Sequence, residues 1–196
     1  GYHTFIHELG HALGLGHPHT GPVLTPSGED QLKYSIMSYC SYDGDVPGGG
    51  YSNNFYPTTP MLNDILAIQF LYGANMSYKT GNDTYSWDAS KSVFETIWDA
   101  GGTDTIDGSN QSQRVTLDLR SGCWSNIGVD FWNGREYVND CLTIAYGATI
   151  ENATGSAFDD TLIGNNFANI LRGNGGADTM NGLLGNDTYY VDNRSE

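Results

Sequence analysis

Five histidines stand within the first nineteen residues, at positions 3, 7, 11, 17 and 19, and no other imidazole occurs in the 196-residue chain. Chemistry that needs an imidazole is therefore confined to this stretch. Three of the five have the spacing of metal ligands: His7-Glu8-Leu9-Gly10-His11-Ala12-Leu13-Gly14-Leu15-Gly16-His17 has the form H-E-x-x-H-x-x-G-x-x-H. His7 and His11, four residues apart, share one face of a helix. Gly14, with Gly16 after it, can take positive φ, end that helix and turn the chain so that His17 comes back to the first two. Three neutral imidazoles with one position left open describe a catalytic zinc site rather than a closed structural one. Glu8 adjoins His7 but lies about 100° around the helix. It therefore faces a water at the ion rather than the ion itself, and it is the candidate general base for a hydrolysis. His3 and His19 do not fit the spacing and read as surface groups or as supports behind the ligands.

The elements that must hold these residues are visible in outline. Residues from about Tyr2 to Leu13 read as the helix of the metal site. A loop over 18–34 follows, punctuated by Pro18, Pro22, Pro26 and Gly28. A second loop over 40–57, with Asp43-Gly44-Asp45 and Gly48-Gly49-Gly50, reads as a solvated loop, with the rim of a cleft as the alternative and no chemistry of its own. The next helix opens with Thr59 as N-cap and Pro60 in the first helical position. Met61, Leu62, Ile65, Leu66, Ile68, Phe70 and Leu71 recur at helical spacing, and Gly73 closes it. This helix is expected to pack on the first one and to serve structure.

After Asn75 the texture changes to short β-branched or apolar runs between Gly, Asp, Asn and Ser turns. Asp83–Trp87, Val93–Trp98, Arg114–Leu119 and Leu142–Ile150 read as strands. Gly155, Gly164, Gly173 and Gly182 are then spaced by nine. The sixth place of each unit holds Asp160, Asn169, Asp178 and Asp187; the eighth holds Leu162, Leu171, Met180 and Tyr189. This is the nonapeptide pattern of a parallel β-roll, in which the eighth residue points inward and Ca²⁺ lies between stacked turns. Each unit is half a coil, so Gly155–Asp160 should stack on Gly173–Asp178, and Gly164–Asn169 on Gly182–Asp187. Phe158 and Phe167 replace the usual fourth-place glycine and Asn169 lacks a charge, so calcium at the first turns is expected to be weaker or partly absent. The better half-sites carry Gly173, Gly175 and Asp178, and Gly182 and Asp187.

Composition agrees. Eight Lys and Arg stand against 23 Asp and Glu, a net charge of −15, which argues against nucleic acid and against an anionic membrane as partners. The 26 glycines cluster with the aspartates in turns, so calcium accounts for the acidity better than solvation alone. No apolar run is long enough to cross a bilayer, and no signal-peptide pattern stands at Gly1. Three cysteines fit no closed disulfide framework. Cys123 and Cys141 either pair across neighbouring strands or stay as thiols, and Cys40 is either a packing residue, the preferred reading, or a thiol near the ion.

Beyond the zinc motif, Ser35-Ile36-Met37-Ser38-Tyr39 supplies a methionine turn, which together with the motif gives the metzincin pattern. His11-Ala12-Leu13-Gly14-Leu15-Gly16-His17-Pro18 followed by Ile36-Met37-Ser38-Tyr39 resembles the serralysins, secreted bacterial zinc metalloproteases with calcium-binding RTX repeats. Pro60–Ile65 and Gln69–Asn75 resemble the helix that ends their catalytic domain. The resemblance implies that Met37 is a structural floor beneath the ligands. It implies that Tyr39 is a displaceable further zinc ligand that also stabilises the transition state. It adds calcium ligands at Asp99, Gly101, Gly102 and Asp104, at Thr149 and Glu151, and at Lys79, Gly81 and Asp83, the last ambiguous with Thr84.

The expected fold is α+β: residues 1–76 form the C-terminal part of a metzincin catalytic domain, and 77–196 a calcium-binding parallel β-roll. The expected function is a zinc-dependent secreted endopeptidase acting on protein or peptide substrates. It would use one catalytic Zn²⁺ and several structural Ca²⁺, work as a monomer and leave the cell by type I secretion, as the resemblance implies. The match covers only the middle of a serralysin, without the sheet whose edge strand pairs with substrate, so the chain reads as a fragment or trimmed product. Two rivals stand beside this: a non-catalytic calcium-binding module with an intact zinc site but no substrate cleft, and an RTX carbohydrate-modifying enzyme, which would not need the zinc motif.

Overall fold

The structure is a computed structural model, described here for residues 1–20, 26, 28–46 and 55–192. Pro22 and the Gly48-Gly49-Gly50 run of the two expected loops lie outside the described residues. The helices are α1 (Tyr2–Ala12) and α2 (Leu62–Tyr72). The strands are short: β1 (Thr84–Tyr85), β2 (Glu95–Ile97), β3 (Thr105–Asp107), β4 (Thr116–Asp118), β5 (Trp124–Ser125), β6 (Phe131–Trp132), β7 (Tyr137–Val138), β8 (Leu142–Ile144), β9 (Asn152–Thr154), β10 (Thr161–Ile163), β11 (Ile170–Arg172), β12 (Thr179–Asn181) and β13 (Thr188–Tyr190). The chain divides into two compact units. The first is Gly1–Ala74 with Phe94–Thr96 and Asp130–Val138; the second is Asn75–Val93, Ile97–Val129 and Asn139–Glu196.

In the first unit α1 buries Ile6, His7 and Gly10. Leu32, the methionine-turn residues Ile36 and Met37, and Met61 and Leu62 at the start of α2 are fully buried in the same unit. The helix expected from Thr59 begins at Leu62. The Thr59 hydroxyl instead accepts the Thr96 N–H at 2.9 Å. Asp64 takes over the capping: its carboxylate accepts the Met61 N–H at 2.8 Å from inside the first turn. The far end of α2 reaches α1 through Tyr72, whose hydroxyl donates to the Leu13 carbonyl at 3.0 Å. Phe55, Phe94 and Phe131 form an aromatic cluster, with Phe131 4.9 Å from Phe55 and 5.4 Å from Phe94 between ring centres. Both helices leave apolar side chains exposed: Tyr2, Phe5 and Leu9 on α1, and Leu66, Phe70 and Leu71 on α2.

The second unit is a parallel roll. One sheet runs β1-β3-β9-β11-β13 and the other β12-β10-β4. Register stacks the inward residues in columns, Ile106 on Ala153 on Leu171 on Tyr189, and Leu117 on Leu162 on Met180. These columns put Ile106, Leu117, Leu162 and Leu171 at no exposure, and stacked apolar columns are what hold so short a strand in place. The expected pairing of turns follows, since β10 lies on β12 and β11 on β13. The inward rule fails at its last unit: Tyr189 is 45% exposed, because β13 is paired on one side only. β8 and β5 pair antiparallel, with Trp124 opposite Thr143 and Ser125 opposite Leu142. That register carries Cys141 opposite Asn126 rather than Cys123, and no disulfide joins Cys123 to Cys141.

Candidate metal centres

The turn after α1 folds as its glycine demands. Gly14 has φ of 91°, and the chain returns so that three imidazoles meet: ligand atoms of His7, His11 and His17 all lie within 4.8 Å of one another. His7 Nδ1 bonds the Ile36 carbonyl at 2.7 Å, and His11 Nδ1 the Leu15 carbonyl at 2.9 Å. A carbonyl only accepts, so both Nδ1 atoms carry the proton and both Nε2 lone pairs face the centre. There, His17 Nε2 lies 3.2 Å from His7 Nε2 and 3.0 Å from His11 Nε2. Two lone pairs this close to a third ring nitrogen need a proton or a metal cation among them. Zinc–nitrogen bonds of about 2.0–2.1 Å at tetrahedral angles set ligand nitrogens about 3.3 Å apart, so the donor set fits zinc. His17 is held below the usual imidazole range, by burial first and then by His11, His7 and His19, with Glu8 opposing. Burial and the three histidines favour the neutral ring that a metal requires, and Glu8 works against them.

The groups around the three ligands are equally specific. Glu8 is exposed on α1 next to His7. The Tyr39 ring lies 4.5 Å from His17, 5.6 Å from His7 and 5.0 Å from His19 between centres. His19 stacks on His17 at 5.3 Å with an interplanar angle of 7°, and its Nδ1 lies 3.6 Å from Asp30. His3 stacks on Tyr56 at 4.9 Å, and burial pushes it down to about 4. Met37 is buried under α1, where a Cβ on Gly10 would lie 2.5 Å from its sulfur. Gly10→Ala should therefore displace Met37 and cost about 1–3 kcal/mol despite alanine's better helix propensity. A lower thermal midpoint with weaker zinc binding is the expected result. Cys40 is buried with its thiol 3.5 Å from the Asp45 carbonyl, and burial raises it to about 11, so it is an inert packing thiol.

Sequence reading missed Asp64. Its buried carboxylate accepts the Ser35 hydroxyl at 2.6 Å and the Ile36 N–H at 2.8 Å, besides the Met61 N–H. A continuous path thus runs from Asp64 through the Ile36 backbone, by its N–H and then its carbonyl, to His7. The one available signal was an acidic residue in the first turn of an otherwise apolar helix.

The roll gathers most of the proposed calcium ligands. Asp83, Asp99 and Asp104 bring carboxylate oxygens within 4.8 Å of one another. Asp99 accepts the Gly101 N–H at 2.9 Å and the Tyr85 hydroxyl. Asp104 accepts the Asp83 N–H at 2.7 Å through one oxygen, while its buried Oδ2 has no hydrogen-bond partner. Burial, then Asp99 and Glu151 among its neighbours, raise Asp104 against the pull of the Asp83 N–H. The Gly81 carbonyl presses on Gly102, which has φ of 146°. Lys79, with φ of 53°, accepts the Ala100 N–H on its carbonyl, and its ammonium bonds Asp83 at 2.7 Å. Glu151 accepts the Asp104 N–H at 2.8 Å; Thr149 is half-buried two residues before it. An unpartnered buried carboxylate oxygen among three acids fits a hard divalent cation.

The repeat turns divide. Asp178 accepts the Asp160 N–H on Oδ1 at 2.8 Å, and its buried Oδ2 has no hydrogen-bond partner. Its turn takes Asn174 to φ 65° and Gly176 to φ 128°, and the next takes Leu183 to 68° and Gly185 to 123°. Gly173 and Gly182 are needed because Asp178 and Asp187 fold back over them. A Cβ on Gly175 would meet Ala157 only at ordinary contact distance, and Asp187 accepts the Asn169 N–H at 3.0 Å. Asp160 differs: the Ser156 N–H and hydroxyl and the Val115 N–H already satisfy it.

Residues 64–194 match the family described as peptidase M10 serralysin C terminal. Serralysin C of Dickeya chrysanthemi is 40% identical over 183 residues, covering 83% of this chain and 36% of that protein. Serralysin of Proteus mirabilis is 35% identical over 183 residues, 83% of this chain and 35% of the relative. Metallopeptidase AprA of Pseudomonas marginalis is 36% identical over 190 residues, 85% and 38%. The last of these is a metallopeptidase by name. The chain belongs to the serralysin family, and it spans little more than a third of the length of the relatives it matches.

Proposed function

We propose that this chain carries the zinc site of a secreted, calcium-stabilised endopeptidase. The observation that carries the reading is the convergence of three Nε2 atoms on one point, with His7 and His11 fixed in the required tautomer by backbone carbonyls. Residues 1–76 then act as the C-terminal part of a metzincin catalytic domain. His7, His11 and His17 would hold zinc, which supplies Lewis acidity at a scissile carbonyl and lowers the pKa of water. Glu8 takes the proton of the attacking water and passes it to the leaving amine. Tyr39, beside His17, lends its hydroxyl to the oxyanion. Met37 and Asp64 keep the imidazoles in place from beneath. The Asp83, Asp99 and Asp104 cluster, joined by Lys79, Gly81, Gly101, Gly102, Thr149 and Glu151, and the turns of Asp178 and Asp187 hold the roll through calcium, while the expected calcium role of Asp160 is taken by its bonds to Ser156 and Val115. The substrates are proteins or peptides, and the protein works as a monomer outside the cell.

Casein is the substrate for the test. Zinc-loaded chain is expected to cleave it, and a chelator to stop cleavage; cleavage undiminished without metal would overturn the reading. The exposed stripe of Tyr2, Phe5 and Leu9 favours a second reading, a calcium-binding module with a zinc site but no substrate wall. That reading predicts zinc binding and calcium-dependent stability with no cleavage under any metal condition.

Calcium removal gives a further expectation. A site filled at about a hundred times its dissociation constant contributes about 2.7 kcal/mol. Chelation should therefore lower the thermal midpoint of the roll by several degrees per site. Scanning calorimetry with and without calcium checks this, and an unchanged midpoint would contradict calcium binding there.

A further inference from the structure

Along one edge of the roll, the residue just before each strand of the five-stranded sheet forms a column: Asp83, Asp104, Glu151, Asn169 and Asp187. Four of the five are acids. Where the column binds in the acidic pattern, a side chain accepts the N–H of its neighbour, as Asp104 does from Asp83, Glu151 from Asp104 and Asp187 from Asn169. Asn169 breaks the pattern. Its Oδ1 accepts the Asn165 N–H of its own turn at 2.9 Å. Its Nδ2 donates to the Glu151 carbonyl at 2.8 Å and to Asn165 Oδ1 at 3.0 Å. Asn165 Nδ2 in turn donates to the carbonyls of Ile150 at 2.8 Å and Leu119 at 3.2 Å. Asn169 is 1% exposed and Asn165 8%.

Three carbonyls that converge in a calcium site would face the ion. Here the carbonyls of Leu119, Ile150 and Glu151 face the N–H groups of two buried amides, and both hydrogens of each amide are used. Among the described residues no buried side-chain oxygen is left unpaired at this level, in contrast to Asp104 Oδ2 and Asp178 Oδ2. A calcium ion therefore does not fit here. On the opposite edge Ser156 plays a similar part toward Asp160, donating from its backbone N–H and its hydroxyl.

We infer that the side-chain amides of Asn165 and Asn169 replace a calcium ion in the middle of the roll, so that the roll has a metal-independent centre between two calcium-dependent ends. The centre comprises β4, β9, β10 and β11. One end holds Asp83, Asp99 and Asp104; the other holds the Asp178 and Asp187 turns. The inference rests on the calcium reading of those ends.

Hydrogen exchange on the whole chain, in calcium and in chelator, tests it. In chelator, backbone amides of β9, β10 and β11 are expected to keep their protection, while those of β1, β12 and β13 lose it by on the order of tenfold or more. Asn169→Asp is expected to bind one more calcium ion per chain in equilibrium dialysis and to make the centre chelator-sensitive. Loss of protection throughout the wild-type roll would overturn the amide substitution while leaving calcium binding intact. Loss nowhere would sink the calcium reading, and with it the division of the roll. A soluble Asn169→Asp variant with no added ion would also overturn the proposal.

Discussion

Replacing Glu8 with glutamine is expected to lower peptide hydrolysis by about 10²–10⁴-fold while zinc binding stays at the wild-type level. The two readouts separate because Glu8 is not among the converging ligand atoms: it lies on α1 beside His7, exposed, while His7, His11 and His17 meet without it. Glutamine keeps the size and helix propensity of glutamate but cannot take a proton, so the fold and the ligand geometry have no reason to change. Casein cleavage and zinc content measured on the same preparation check this. Unchanged cleavage would remove Glu8 from the chemistry, and lost zinc would make it a ligand or a support instead.

Asp64 should matter almost as much, through structure. Asp64→Ala leaves the Ile36 and Met61 N–H groups buried without an acceptor, at about 1–3 kcal/mol each. It also loosens the Ile36 peptide, whose carbonyl fixes the His7 tautomer at 2.7 Å. Zinc affinity should therefore fall by about 10–100-fold. Asp64→Asn is milder, because the amide oxygen can still accept both N–H groups and the amide nitrogen can donate to the Ser35 hydroxyl.

The two forms also differ in pH dependence. Burial raises Asp64 from 3.8 to about 6, against the hydrogen bonds from Ser35, Ile36 and Met61. A carboxyl raised in the folded state contributes stability that is complete below about pH 4 and is lost as pH rises through about 6. The shift corresponds to about 3 kcal/mol, and asparagine has no such dependence. The stability of wild type relative to Asp64→Asn should fall by about 2 kcal/mol between pH 4 and 7, as urea unfolding at the two pH values would read. A constant difference, or an Asp64→Ala variant as stable as wild type with unchanged zinc affinity, would contradict the role given to Asp64.

What the sequence made legible was local. His7, His11 and His17 lie within eleven residues, and their meeting needs one helix and one glycine turn. The nonapeptide spacing likewise carries its own register, because the inward column from Leu162 to Met180 repeats with the glycines. What stayed hidden depends on long-range contact. Asp64 meets Ser35 across 29 residues, so the carboxylate that caps α2 two residues later than Thr59 suggested is also the one that holds the methionine turn. β3 was missed because Ile106 is its single apolar residue, and burial against Ala153 is what makes it a strand. The fate of Cys123 and Cys141 depended on the β5–β8 register, which spacing does not determine. Asn169 was read as an absent charge, and only its partners reveal it as a donor facing the Glu151 carbonyl.

The central claim is that three imidazoles, and no other histidines, make one metal site. Zinc content per chain after equilibrium dialysis, measured for wild type and for each histidine replaced singly by alanine, tests it most directly. One ion per chain is predicted for wild type, His3→Ala and His19→Ala, and loss of stoichiometric binding for His7→Ala, His11→Ala and His17→Ala. A folded wild type without stoichiometric zinc, or a His17→Ala variant that keeps it, would contradict the account.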